Sequence, residues 1–105
     1  MSQLVKRLAE GRHPVTASRA EGSVSKFKES LDRNYVHIEF TGTRGGTELE
    51  FELDQDCCKL EADFEKGQGT VHLEGLLNLD DIDVRCRADI QLETLSGTGH
   101  LVVTD

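Results

Sequence analysis

The chain of 105 residues carries 12 Lys and Arg against 20 Asp and Glu, a net charge of −8, with 36% hydrophobic residues and no Trp. That length fits one domain, and so acidic a body repels phosphate backbones, which argues against nucleic acid as a ligand. No apolar run approaches the ~20 residues that cross a bilayer, and Met1 to Gly11 is too polar for a secretory leader, so neither a membrane partner nor export is expected.

The first helix is expected over Ser2–Glu10. Leu4, Val5 and Leu8 share one face, and Gly11 supplies a stop. Arg12 to Gly22 holds the only proline, Pro14, and reads as an irregular connector. The second helix is expected over Val24–Arg33. Ser23 caps its start, Val24, Phe27 and Leu31 form its apolar stripe, and Asn34 closes it in the left-handed conformation.

After Asn34 the apolar period changes from 3.6 to 2, the signature of strands with one buried and one solvated face. Five or six strands are expected, centred on Val36–Phe40, Leu49–Leu53, Leu60–Phe64, Val71–Leu79, Val84–Leu92 and His100–Asp105. Gly75 interrupts the fourth and suggests a bulge or a strong bend. Glycine-rich turns are expected at Thr43–Gly46, Lys66–Gly69 and Ser96–Gly99, with Asp80-Asp81 as a fourth. Val36-His37-Ile38-Glu39 recurs as Val71-His72-Leu73-Glu74, a weak internal repeat that shared alternation alone can produce.

These elements predict an α+β fold in one domain: a helical segment over 1–34, then an antiparallel β-meander over 35–105. The alternative is a small β-barrel or sandwich with helical decoration. Charge is divided the same way. Residues 1–34 hold seven Lys and Arg against four Asp and Glu, and the remainder hold five against sixteen.

The solvated face carries the chemistry-bearing side chains. His37, Glu39, His72, Glu74 and His100 all point there by alternation. A His and a Glu two apart on a strand project the same way, about 6–7 Å apart, and two such pairs could hold a divalent metal if barrel closure brought them together. Glu48, Glu50 and Glu52 form a carboxylate row too uniform for acid/base work. Arg85, Arg87 and Lys59 are its expected cross-strand partners, and an acidic strip that docks a basic protein is the other use. Leu101, Val102 and Val103 end the chain in an apolar strand. If that strand lies at a sheet edge, it invites a partner strand, a second copy included.

Cys57, Cys58 and Cys86 make no disulfide framework and are expected as reduced thiols in a cytoplasmic protein, Cys86 as a small core residue. Asn78 to Asp83 lacks the glycine and terminal glutamate of a calcium loop, and no phosphate loop or nucleophile elbow is present. The reading is therefore a non-catalytic interaction or accessory protein with no cofactor, an immunity or inhibitor protein being one concrete form. Its alternatives are a carrier that holds an apolar ligand among Phe27, Phe40, Phe51 and Phe64, and a metal-dependent enzyme built on the His/Glu face.

Overall fold

Two serine caps open the helices of the computed structural model, which describes residues 2–18, 20 and 22–104. The Ser2 hydroxyl accepts from the Val5 amide at 3.2 Å and starts α1 (Gln3–Ala9). The Ser23 hydroxyl accepts from the Lys26 amide at 3.3 Å and starts α2 (Val24–Asp32). Each satisfies an amide that a first helical turn leaves without an acceptor. Gly11 has φ 74° and Asn34 has φ 62°, the left-handed conformation that ends a helix.

The segment expected as a connector holds a short strand, β1 (His13–Thr16). Four residues with a proline among them give no alternation to read. Pro14 is tolerated because it stands just past the end of the β1–β2 ladder, where its carbonyl accepts from the Thr41 amide at 3.1 Å, while Val15 pairs with Gly97 and the Ala17 amide donates to the Leu95 carbonyl at 2.8 Å. Of the residues in the expected connector and last strand, Arg19, Glu21 and Asp105 lie outside the described residues.

The other strands are β2 (Tyr35–Phe40), β3 (Thr47–Glu52), β4 (Thr70–Leu79), β5 (Ile82–Gln91) and β6 (Ser96–Val103), in the sheet order β3-β2-β1-β6-β5-β4. All pairings are antiparallel. Two three-stranded meanders are thus joined side by side through β1 and β6. The fold is α+β, and the six-stranded sheet curls until it is nearly barrel-shaped. The closure is direct at one point, where the Asp54 amide donates to the Glu74 carbonyl at 2.8 Å.

Three local expectations are corrected. Leu60–Phe64 is not a ladder strand: its segment makes only the isolated bridges Lys59↔His72 and Asp63↔Gln68, while Leu60, Ala62 and Phe64 pack half-buried against the core. Ser96–Gly99 is strand rather than turn. The turn falls at residues 92–95, where Leu95 takes φ 53° and its amide donates to Gln91 at 2.7 Å. Gly75 makes no bulge, since it pairs in unbroken register with Cys86. It is glycine because β3 passes against it, and a Cβ there would overlap the Glu52 carbonyl and the Phe51 ring. The Asp80-Asp81 turn is where it was expected, both residues with positive φ as a tight two-residue hairpin requires.

The terminal strand is interior for only half of its length. Residues 96–99 of β6 lie between β1 and β5, whereas residues 100–103 pair with β5 alone and face α1 across an open groove. The internal repeat is one of alternation and not of register. Val36 pairs with Phe51, whereas Val71 pairs with Ile90 rather than with Cys86, the counterpart of Phe51. One core fills the curl of the sheet, with Val5 and Leu8 from α1, Phe27 and Leu31 from α2, and Ile38, Phe40, Leu73, Ile90 and Leu101 from the strands. No described helix is long and apolar enough to cross a membrane.

Candidate functional site

The outer face of the sheet carries two distinct charged regions. The first lies on β4 and β5. Antiparallel register sets His72 opposite Asp89 and Glu74 opposite Arg87. The His72 ring is tied at both nitrogens, Nδ1 to Asp89 at 2.8 Å and Nε2 to Glu74 at 2.6 Å. Glu74 also meets Arg85 at 3.3 Å and Arg87 at 3.4 Å, and Arg85 donates to Asp54 at 3.1 Å. Glu74 is only 7% exposed, the one buried charged residue among those described. Alternation had placed it in solvent. The chain at Asp54–Cys58 covers it instead, with the Cys58 thiol accepting from the Glu74 amide at 3.3 Å.

This network reads as a structural clasp. An imidazole bonded to carboxylates at both nitrogens has no free lone pair for base chemistry. Burial opposes charge on the His72 ring, but the hydrogen bonds and charges of Glu74 and Asp89 outweigh it, so its pKa stands above the ordinary 6.5. Burial also opposes charge on Glu74. There the His72 hydrogen bond and the charges of Arg87, His72 and Arg85 win, and its pKa falls below the ordinary 4.5.

The signs fix a pH window. The His72 contribution is complete below its unfolded value and is lost as pH rises through the raised folded value. The Glu74 contribution is complete above its unfolded value and is lost as pH falls through the lowered folded value. The stability difference between the native protein and His72→Gln should therefore be largest between about pH 5 and 6.5 and shrink in the alkaline range. Urea unfolding across pH measures it, and a difference independent of pH would show that the ring is neutral throughout.

The thiols beside the clasp are not poised for attack. Burial, with Asp54 as neighbour, raises Cys57, and burial raises Cys58. Cys86 is fully buried and pushed up to about 12. A nucleophilic thiol needs the opposite shift.

The second region is the outer face of β2 and β3. Tyr35, His37 and Glu39 stand opposite Glu52, Glu50 and Glu48 respectively. His37 Nε2 meets Glu50 at 2.9 Å, and the Tyr35 and His37 rings pack edge to face at 5.6 Å. Slight burial, then the charges and hydrogen bonding of Glu50 and the charge of Glu52, raise the Tyr35 hydroxyl. The basic partners expected for this row are engaged elsewhere. Arg85 reaches Glu74 and Asp54, Arg87 reaches Glu74, and Lys59 stands beside β4, its backbone bridged to that of His72. The reason is where the sheet closes: Asp54, beyond the end of β3, is the acidic residue that meets β4 and Arg85.

Sheet order divides the candidate histidines, since they stand on β2, β4 and β6 and no two of these strands are neighbours. His37 belongs to the acidic face, His72 to the clasp, and His100 stands on β6 opposite Arg87. Among the described residues no group of three or more His, Cys, Asp and Glu is arranged to hold a metal ion. Phe27, Phe40 and Phe51 are buried core residues, and Phe64 packs half-buried against them. Leu101 is buried and Val103 half-buried, which leaves Val102, 39% exposed, as the outward residue of the terminal strand. Arg12, in the expected connector, is carried alongside His100 by the β1–β6 pairing, a proximity that local sequence does not signal. Compared with protein-family models and with curated proteins, the sequence matches none.

Proposed function

We propose that this protein is a non-catalytic cytoplasmic interaction module that docks a basic protein surface on the outer face of β2 and β3. One observation carries the reading. Four carboxylates, Glu39, Glu48, Glu50 and Glu52, share that face, and neither strand contains a Lys or Arg. Glu39 and Glu48 stand directly opposite one another, so the negative charge is continuous across both strands. Tyr35, 37% exposed at the end of the row, adds a rigid aromatic contact of the kind interfaces favour. An acidic cover over the basic working surface of another protein is what an immunity or inhibitor protein provides. A second copy suits this face poorly, since two such rows repel.

The test is kinetic. A partner isolated by affinity capture on the native protein should associate on the order of tenfold more slowly with the Glu48→Lys/Glu50→Lys/Glu52→Lys variant at low salt, and the native rate should fall steeply as salt is added. Equal rates for the two proteins would remove the acidic face from the interaction.

A further inference from the structure

We propose that the opposite half of the outer face, where β1, β6 and β5 meet, holds a binding site for a small oxyanion, the carboxylate or phosphate group of a ligand. The site is independent of the acidic face on β2 and β3. A cleft of about 130 Å³ opens there among Arg12, His72, Arg87, Asp89, Thr98 and His100. Register explains the convergence. Arg87 pairs with His100 and Asp89 with Thr98 across β5 and β6, while His13 pairs with Gly99 and brings Arg12 alongside His100.

The donors in this cleft are largely unspent. Among the described residues, Arg12 makes no hydrogen bond or ion pair, and the side chains of Thr98 and His100 make no hydrogen bond. Arg87 turns only its Nε toward Glu74, at 3.4 Å, and keeps its terminal amino groups for a ligand. The acidic groups nearby are already committed. Asp89 and Glu74 bind the two nitrogens of His72, and Glu74 also meets both arginines of β5. What faces the cleft is thus mainly donors, two guanidinium groups, a hydroxyl and an imidazole, with the Asp89 carboxylate on the side where it binds His72.

Guanidinium forks match the geometry of carboxylate and phosphate oxygens. The volume selects size as well as charge. The cleft is small and open to solvent, so it takes one oxyanion group and leaves the rest of a larger ligand outside. In a chain of net charge −8, two arginines that line one cleft and both act on His100 form an arrangement that an anion completes.

His100 reports occupancy. Burial, then the charges of Arg87 and Arg12, hold its pKa below the ordinary value, against weaker pulls from Asp89 and Glu74. Lys6 and Glu10 border it from the α1 side. An anion in the cleft offsets the arginine charges, so binding draws a proton onto His100 and tightens as pH falls.

Inorganic phosphate and acetate, each titrated at constant ionic strength against chloride, test the site by NMR of the His100 ring and the Thr98 amide. Saturable shifts with at least one anion are expected, with an upward shift of the His100 pKa at saturation. The anion that binds more tightly identifies the group as phosphoryl or carboxyl. Arg12→Ala should weaken that binding at least tenfold. Because Arg12 has no hydrogen-bonded partner, the unfolding midpoint of this variant should match the native one. Shifts that grow linearly without saturation for both anions, or an affinity unchanged in Arg12→Ala, would overturn the proposal.

Discussion

Glu74→Ala should cost this domain about 3 kcal/mol, the lower end of what breaking a buried ion pair costs. Among the described residues the carboxylate is the only acceptor shared by His72, Arg85 and Arg87, and its removal leaves three cationic groups around a gap. Each of the three retains solvent contact, with side chains 23%, 26% and 46% exposed, and this keeps the loss from the upper end of the range. For a domain of this size the melting temperature should fall by on the order of 12 °C. Two measurements separate this account from simple cavity formation. Urea unfolding gives the free energy, and NMR titration of His72 should show its pKa lower than in the native protein, because a hydrogen bond and a negative charge that hold it up have gone. A loss below about 1 kcal/mol would show that solvent already screens the clasp, as it does for surface pairs.

The neighbouring residue should be nearly as sensitive for a different reason. Gly75→Ala adds one methyl group, but at a place where the Glu52 carbonyl and the Phe51 ring already occupy the space. Backbone cannot swing aside as a side chain does, so β3 and β4 must separate at the point where the sheet nearly closes. Overpacking of this kind costs about 3 kcal/mol when the obstacle is main chain. Gly97→Ala should behave alike, since its Cβ would overlap the Asp89 carbonyl of the paired strand. Gly45→Ala is the control. Nothing lies within 4 Å of its Cβ and only its φ of 77° opposes the change, which costs about 1 kcal/mol. Chemical denaturation of the three variants should therefore rank Gly45→Ala as the mildest. Equal losses at all three would mean that backbone conformation, and not the approach of β3, governs Gly75.

What could be read in advance was what neighbouring residues decide among themselves. Ser23 and Asn34 bound α2 because capping and the left-handed stop are satisfied within a turn of chain. Val36, Ile38 and Phe40 are buried while His37 and Glu39 are not, because a strand presents alternate residues to opposite faces whatever it pairs with. The core place of Cys86 followed from the same alternation. So did the carboxylate row on β3, whose three glutamates are all exposed.

The tertiary structure decided everything that depends on which strand meets which. Alternation is the same in every strand, so it is silent about order. It could not place β1 between β2 and β6, send Arg85 and Arg87 to Glu74 rather than to Glu48, Glu50 and Glu52, or keep His37 apart from His72. Nor does it register cover supplied from afar. Glu74 belongs to the outer face by its position in β4, yet it is buried because residues from Asp54 to Cys58 fold over it. The sequence by itself determined the helices, the two-faced strands and the acidity of the body, all set by local sterics and composition. Closure of the sheet, burial of the clasp and the meeting of Arg12 with His100 come from long-range pairing, whose energy lies in contacts between segments that no local pattern connects.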